Sequence, residues 1–126
     1  MCRLVVADDD VQQLGIRKLL LEAAGHQVTV VEDAPGARQM LLDLDPEVLV
    51  MDLRLPKLED GLGLIRSVEQ LRLAVKIIVF SGWTEELLGL PEEKLVVKIL
   101  GKPIRNEYLL EAIEQAMASK PCWAAR

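Results

Sequence analysis

Two kinds of apolar pattern alternate along this chain. Short, nearly continuous apolar runs rich in β-branched residues lie at Arg3–Ala7, Val28–Val31, Glu47–Met51, Val75–Phe80 and Leu95–Leu100, the last interrupted by Lys98. Runs of this length and composition predict strands buried on both faces, the mark of a parallel sheet. Between them the apolar residues take a helical period. Over Val11–Ala24 the residues Ile16, Leu19, Leu20, Ala23 and Ala24 recur at helical spacing and define a predicted buried face, with Gly25 as the stop. Asp33 and Pro35 open a second predicted helix, Ala34–Asp43, which Asp45-Pro46 ends. Leu64, Ile65 and Val68 mark a third over Gly61–Leu71, and Leu109, Ile113 and Ala116 a last one over Ile104–Ser119. Between Thr84 and Leu90, Gly89 and Pro91 leave space for only one or two turns.

The resulting order, (βα)₅, predicts an α/β fold: a doubly wound, three-layer sandwich around a five-stranded parallel sheet, since right-handed crossovers place helices on both faces. Ligands of such folds bind outside the carboxyl ends of the strands. Those ends carry Asp8-Asp9-Asp10 after the first strand, Asp52 after the third, Ser81-Gly82 after the fourth and Gly101-Lys102-Pro103 after the fifth. Carboxylates gathered in one pocket repel one another and call for a cation. Few, hard oxygen ligands suit Mg²⁺, which keeps several waters and binds through one or two carboxylates plus a phosphate. A lysine and a hydroxyl beside it would complete a phosphoryl site. Singly, each residue has a plainer explanation. Asp10 alone reads as a helix N-cap, Asp52 alone as a solvated loop acid, and a lone Ser or Lys-Pro says little.

Composition narrows the class further. A length of 126 residues suits one domain, spanning 1–126 with its core over about 3–119. The chain is acidic, with 20 acidic and 15 basic residues, and it has only four aromatics. That balance disfavours direct nucleic-acid binding. No apolar stretch approaches the roughly 18 residues of a membrane span, and no basic segment leads into an apolar run at the start. Cys2 and Cys122 have no metal-ligand spacing and point to a reducing, cytoplasmic setting. His26, the sole histidine, follows Gly25 at the opposite end of the sheet from the acids and reads as a surface residue.

The stretches Leu4-Val-Val-Ala-Asp8-Asp9, Val48-Leu-Val-Met-Asp52-Leu-Arg-Leu-Pro56 with Asp60-Gly61, Ile77-Ile-Val-Phe-Ser81-Gly82, and Lys102-Pro103 follow in order at set spacings. Together they resemble the receiver domain of two-component response regulators over nearly the whole chain. The resemblance implies a flavodoxin-like sheet of order 2-1-3-4-5, as in the chemotaxis-regulator fold. It implies that Asp52 is the phosphoacceptor for a histidine kinase or phosphotransfer protein. Mg²⁺ would be held by Asp8, Asp9, Asp52 and the backbone carbonyl of Arg54. Lys102 and Ser81 would contact the phosphoryl group, and output would pass to a downstream protein or to an output domain absent from this sequence, since only Lys120–Arg126 follow the last predicted helix.

Three features depart from the commonest receivers. Lys57-Leu-Glu-Asp60 between Pro56 and Gly61 is one residue longer than usual, either adjusting kinase choice or metal access or, the plainer reading, standing as a tolerated surface insertion. Ile99 stands where many receivers carry a switching aromatic, and Tyr108 belongs to the last helix and cannot replace it. The segment 81–102 is most like receivers of sensor or hybrid kinases, with Trp83 at the pocket rim either shielding an acyl phosphate or covering core. Arg54 either influences hydrolysis or is solvated. A degenerate receiver acting as an unphosphorylated interaction module is the alternative function. A small Mg²⁺-dependent phosphatase would need a second acid two positions past Asp52, where Arg54 stands, and a flavin site would need a Ser/Thr/Gly-rich loop after the first strand.

Overall fold

The structure, a computed structural model, describes residues 2–103 and 105–118. Five strands form one sheet: β1 (Arg3–Ala7), β2 (Gln27–Val31), β3 (Val48–Asp52), β4 (Lys76–Ser81) and β5 (Lys98–Gly101). All neighbours run parallel, in the order β2-β1-β3-β4-β5. Helices α1 (Val11–Ala23), α2 (Ala34–Leu44), α3 (Leu58–Gln70) and α4 (Asn106–Met117) connect and follow the strands.

Strand alternation divides the core between two faces. Leu4, Val6, Val48, Val50, Ile78 and Phe80 pack with Leu14 and Leu21 of α1 and with Leu109, Ala112, Ile113 and Ala116 of α4. Val5, Ala7, Leu49, Met51, Ile77 and Val79 face the other way, onto Ala37 and Leu41 of α2 and Leu64, Ile65 and Val68 of α3. Both faces are buried, which explains why the strands read as unbroken apolar runs. Each fully buried Val, Leu or Ile contributes roughly 1.5–3 kcal/mol relative to exposure. Cys2 is a free, buried thiol pushed up to about 11 by burial, with a further push from Glu47.

Four expectations change. The face predicted for α1 is wrong. The helix buries Leu14, Arg17 and Leu21, while Ile16 is 58% and Leu19 73% exposed. Arg17 takes a core-facing position because it has a buried carboxylate to reach, described below. Helix α3 starts at Leu58, so the supposed insertion Lys57–Asp60 builds its first turn. There the Asp60 side chain accepts from the Lys57 N–H at 3.2 Å, and Glu59 and Asp60 complement the helix N-terminus. Leu95–Val97 precede β5 instead of belonging to it, and the connection from β4 is two 3₁₀ segments, Thr84–Leu87 and Pro91–Leu95, with no α-helix. His26 is half-buried, its Nδ1 accepting the Cys2 N–H at 3.2 Å. Ile104, Ser119 and Cys122 lie outside the described residues.

Candidate functional site

Because the strands are parallel, their carboxyl ends lie at one edge of the sheet. Chain direction reverses there between β1 and β3, since β1 leads outward to β2 and β3 leads the other way to β4. A crevice opens at such a switch point, and the side chains that follow β1 and end β3 fill it. Asp8, Asp9 and Asp52 each offer a carboxylate oxygen within 4.8 Å of the others. Asp9, Asp52, Arg54, Ser81, Trp83 and Lys102 line a common cavity with Glu86.

The three acids differ in environment. Asp8 is 1% exposed. Its Oδ1 accepts the Asp10 N–H at 2.9 Å, and its Oδ2 accepts from Arg17 Nη1 at 2.7 Å. Asp52 is partly buried; its Oδ1 accepts the Arg54 N–H at 3.2 Å and its Oδ2 accepts from Lys102 Nζ at 2.6 Å. Asp9 is exposed and has no such cation. Partial loss of solvent first, then a hydrogen bond to Asp8 and the charges of Asp8 and Asp52, raises its carboxyl from the ordinary 3.8. Oxygen donors at this spacing, one of them uncompensated, fit a small hard divalent cation.

Asp10 does not join the cluster. It caps α1, accepting from the N–H groups of Gln12 and Gln13 at 3.1 and 3.3 Å.

The opposite wall is polar. The Ser81 hydroxyl donates to the Trp83 carbonyl at 2.8 Å and accepts the Trp83 N–H at 3.0 Å. Glu86 lies 3.5 Å from the same hydroxyl and pairs with the Arg54 guanidinium. The backbone of Lys102 is fixed by its N–H on the Ser81 carbonyl at 3.0 Å, which locks the ends of β4 and β5 together. Trp83 is 70% exposed, so it lines the cavity mouth and covers no core. Ile99 is partly buried against the core beside α3 and lines a different groove with Tyr108, away from the acids.

Sequence reasoning brings Asp8, Asp9, Asp52, Ser81 and Lys102 together at strand ends, and the structure places them so. It misses Arg17 and Glu86. Both are charged residues off the predicted apolar faces, and their partners lie 9 and 32 residues away, Asp8 for Arg17 and Arg54 for Glu86. The one available signal was local: a basic residue between Leu14 and Leu21, at helical spacing from both.

The fold and site define a class of protein, a doubly wound α/β domain with an acid pocket at its switch point and a lysine paired to the central carboxylate. The chain belongs to the response regulator receiver domain family, whose sequence profile matches residues 4–114. It is 31% identical over 113 residues to the transcriptional regulatory protein FixJ of Bradyrhizobium diazoefficiens, covering 89% of this chain and 55% of that one. With the virulence transcriptional regulatory protein PhoP of Salmonella choleraesuis it shares 33% identity over 90 residues, covering 69% of this chain and 40% of PhoP. The chain thus spans about half the length of these relatives. Among solved structures, a response regulator receiver domain protein of Clostridium thermocellum superposes with a TM-score of 0.84 at 22% identity, covering 94% and 95% of the two chains. The response regulator TrrA of Thermotoga maritima, solved in complex with Mg²⁺–BeF, gives 0.81 at 17% identity, covering 92% and 99%. Receiver domains of response regulators work with kinases or phosphotransfer proteins. No helix among the described residues is long and apolar enough to cross a membrane.

Proposed function

We propose that residues 1–126 act as one cytoplasmic receiver unit, in which Asp52 accepts a phosphoryl group from a partner histidine kinase or phosphotransfer protein. The observation that carries this reading is the Lys102 ammonium 2.6 Å from Asp52 in a cavity shared with Asp9 and Ser81. A carboxylate oxygen of Asp52 attacks phosphorus as the P–N bond to the donor imidazole breaks. The imidazole leaves with the bonding pair and takes up a proton, and an acyl phosphate remains. Water attacking phosphorus later breaks the P–O bond to Asp52, releasing inorganic phosphate and returning the free carboxylate.

The residues suited to Mg²⁺ are Asp8, Asp9, Asp52 and the Arg54 carbonyl; when bound, the ion supplies charge neutralisation for the equatorial oxygens of a loose transition state. The chain's own groups do the rest. Lys102 transfers its ammonium from Asp52 to the incoming phosphoryl oxygens, and Arg54 N–H keeps the carboxylate oriented. To reach the phosphoryl group, the Ser81 hydroxyl must turn away from the Trp83 carbonyl. That turn loosens the contacts holding Trp83 and Glu86, and it offers a local change that a downstream protein reads without a strand-five aromatic.

The test is incubation with Mg²⁺ and acetyl phosphate, followed by intact mass. A gain of one phosphoryl group in the wild type and none in Asp52→Ala is expected. Absence of any gain across donors would overturn the reading and leave the unphosphorylated interaction module standing.

A further inference from the structure

Among the described residues Arg17 is the one buried cation. It is 8% exposed and lies between Leu14 and Leu21 on the core-facing side of α1. Its Nη1 donates to Asp8 Oδ2 at 2.7 Å, and its guanidinium carbon lies 4.3 Å from the centroid of the Phe80 ring. A guanidinium out of water is costly unless a carboxylate and a ring face take the place of solvent, and both are supplied here.

This pairing changes the charge of the pocket. Three carboxylates would present a strong field to a divalent ion, but Asp8 faces Arg17 and Asp52 faces Lys102, so Asp9 alone is uncompensated. The two pairs are not equivalent. Lys102 is a third exposed and sits on a flexible stem, free to swing onto a phosphoryl group. Arg17, in contrast, is a planar fork packed between helix and sheet, with its side chain 10% exposed beside Asp8. Both oxygens of Asp8 are moreover engaged by the chain itself, one by Arg17 and one by the Asp10 N–H.

We infer that Arg17 is a positioning residue that sets how tightly the acid pocket holds its divalent cation. It offsets the charge of Asp8 permanently and weakens cation binding, so that the ion is held no more firmly than a reversible switch requires. The inference rests on reading the pocket as a Mg²⁺ site.

The experiment is calorimetric titration of Mg²⁺, without phosphodonor, into the wild type and into Arg17→Met, Arg17→Gln and Arg17→Lys. Circular dichroism and a cooperative melt establish that each variant is folded, and the Gln variant, which keeps a hydrogen-bond donor, serves if the Met variant does not fold. The two neutral variants are expected to bind Mg²⁺ on the order of ten-fold more tightly, the size of effect one unscreened nearby charge exerts on a divalent ion. The Lys variant is expected to bind as the wild type does. A merely structural role would not separate Gln from Lys in this way. Equal or weaker binding in the neutral variants overturns the inference and leaves the Mg²⁺ site in place. No binding by any of the four proteins overturns the Mg²⁺ reading and the inference with it.

Discussion

Asp9 is the member of the acid cluster that neither Arg17 nor Lys102 faces, and its pKa direction has a thermodynamic consequence. Its carboxyl is raised above the ordinary 3.8 by burial and by Asp8 and Asp52. The folded state therefore binds this proton more tightly than the unfolded state does. The group favours folding most at pH below 3.8 and loses that contribution as pH rises through the raised value. At neutral pH the metal-free chain carries the full repulsion. Asp9→Asn is expected to raise the metal-free melting temperature slightly at neutral pH and to flatten the loss of stability above 3.8. On the proposed reading of the pocket as a Mg²⁺ site, the same substitution is expected to shrink the stabilisation by added Mg²⁺; calorimetric melts with and without Mg²⁺ across pH check both. Residues of this kind were legible in the sequence because they stand at strand ends, where topology alone brings distant positions together. Arg17 was not legible, because its burial depends on a buried carboxylate just before its own helix, Asp8, and on a ring, Phe80, contributed by β4.

Elements were read well where burial on both faces dictates their composition and less well where a local contact competes with the pattern. The first four strands follow from their β-branched runs, whereas the run Leu95–Leu100 overlaps β5 only from Lys98 on. The buried positions of α3 and α4 follow from Leu64, Ile65 and Val68, and from Leu109, Ile113 and Ala116. Helix α1 misleads because its apolar residues outnumber the positions facing the core. Choosing Ile16 and Leu19 over Arg17 is the sensible reading until the buried Asp8 is known. The start of α3 was missed because Lys57-Leu-Glu-Asp lacks a Ser or Thr cap, its role being taken by Asp60 reaching back. Gly61 explains why this turn must be where it is. A β-carbon there would lie 1.7 Å from the Leu53 carbonyl oxygen and 2.7 Å from its carbon. Helix α3 therefore rests directly on the chain that follows Asp52. Gly61→Ala is expected to destabilise the fold by about 3 kcal/mol or more, as a backbone clash forces helix and strand apart; a urea titration measures it through its midpoint, with a loss under about 1 kcal/mol contradicting the contact.

On the scale of the whole molecule, stability is unevenly spread. Four strands are held by pairing and by helices across the sheet, whereas the last crossover is two 3₁₀ segments leading to an edge strand. Turns there are closed by single bonds such as Glu86 N–H to Trp83 at 3.0 Å and Glu93 N–H to Leu90 at 3.1 Å. Strand β5 pairs with β4 alone. Short i→i+3 turns and an edge strand are the parts of a domain that open before the rest. Backbone amides of residues 84–101 are thus expected to exchange with deuterium well before those of β1 and β3, as peptide-resolved mass spectrometry will show; uniform protection would contradict it. Lys102 follows directly on this segment. Asp52 is anchored in the central strand of the sheet, β3, whereas Lys102 is tethered to an edge strand, β5. Under the proposed phosphoacceptor role of Asp52, the lifetime of the modified state would then depend on sub-global unfolding, adjustable by substitutions that stiffen or loosen residues 84–101 at positions other than Glu86, which lines the pocket.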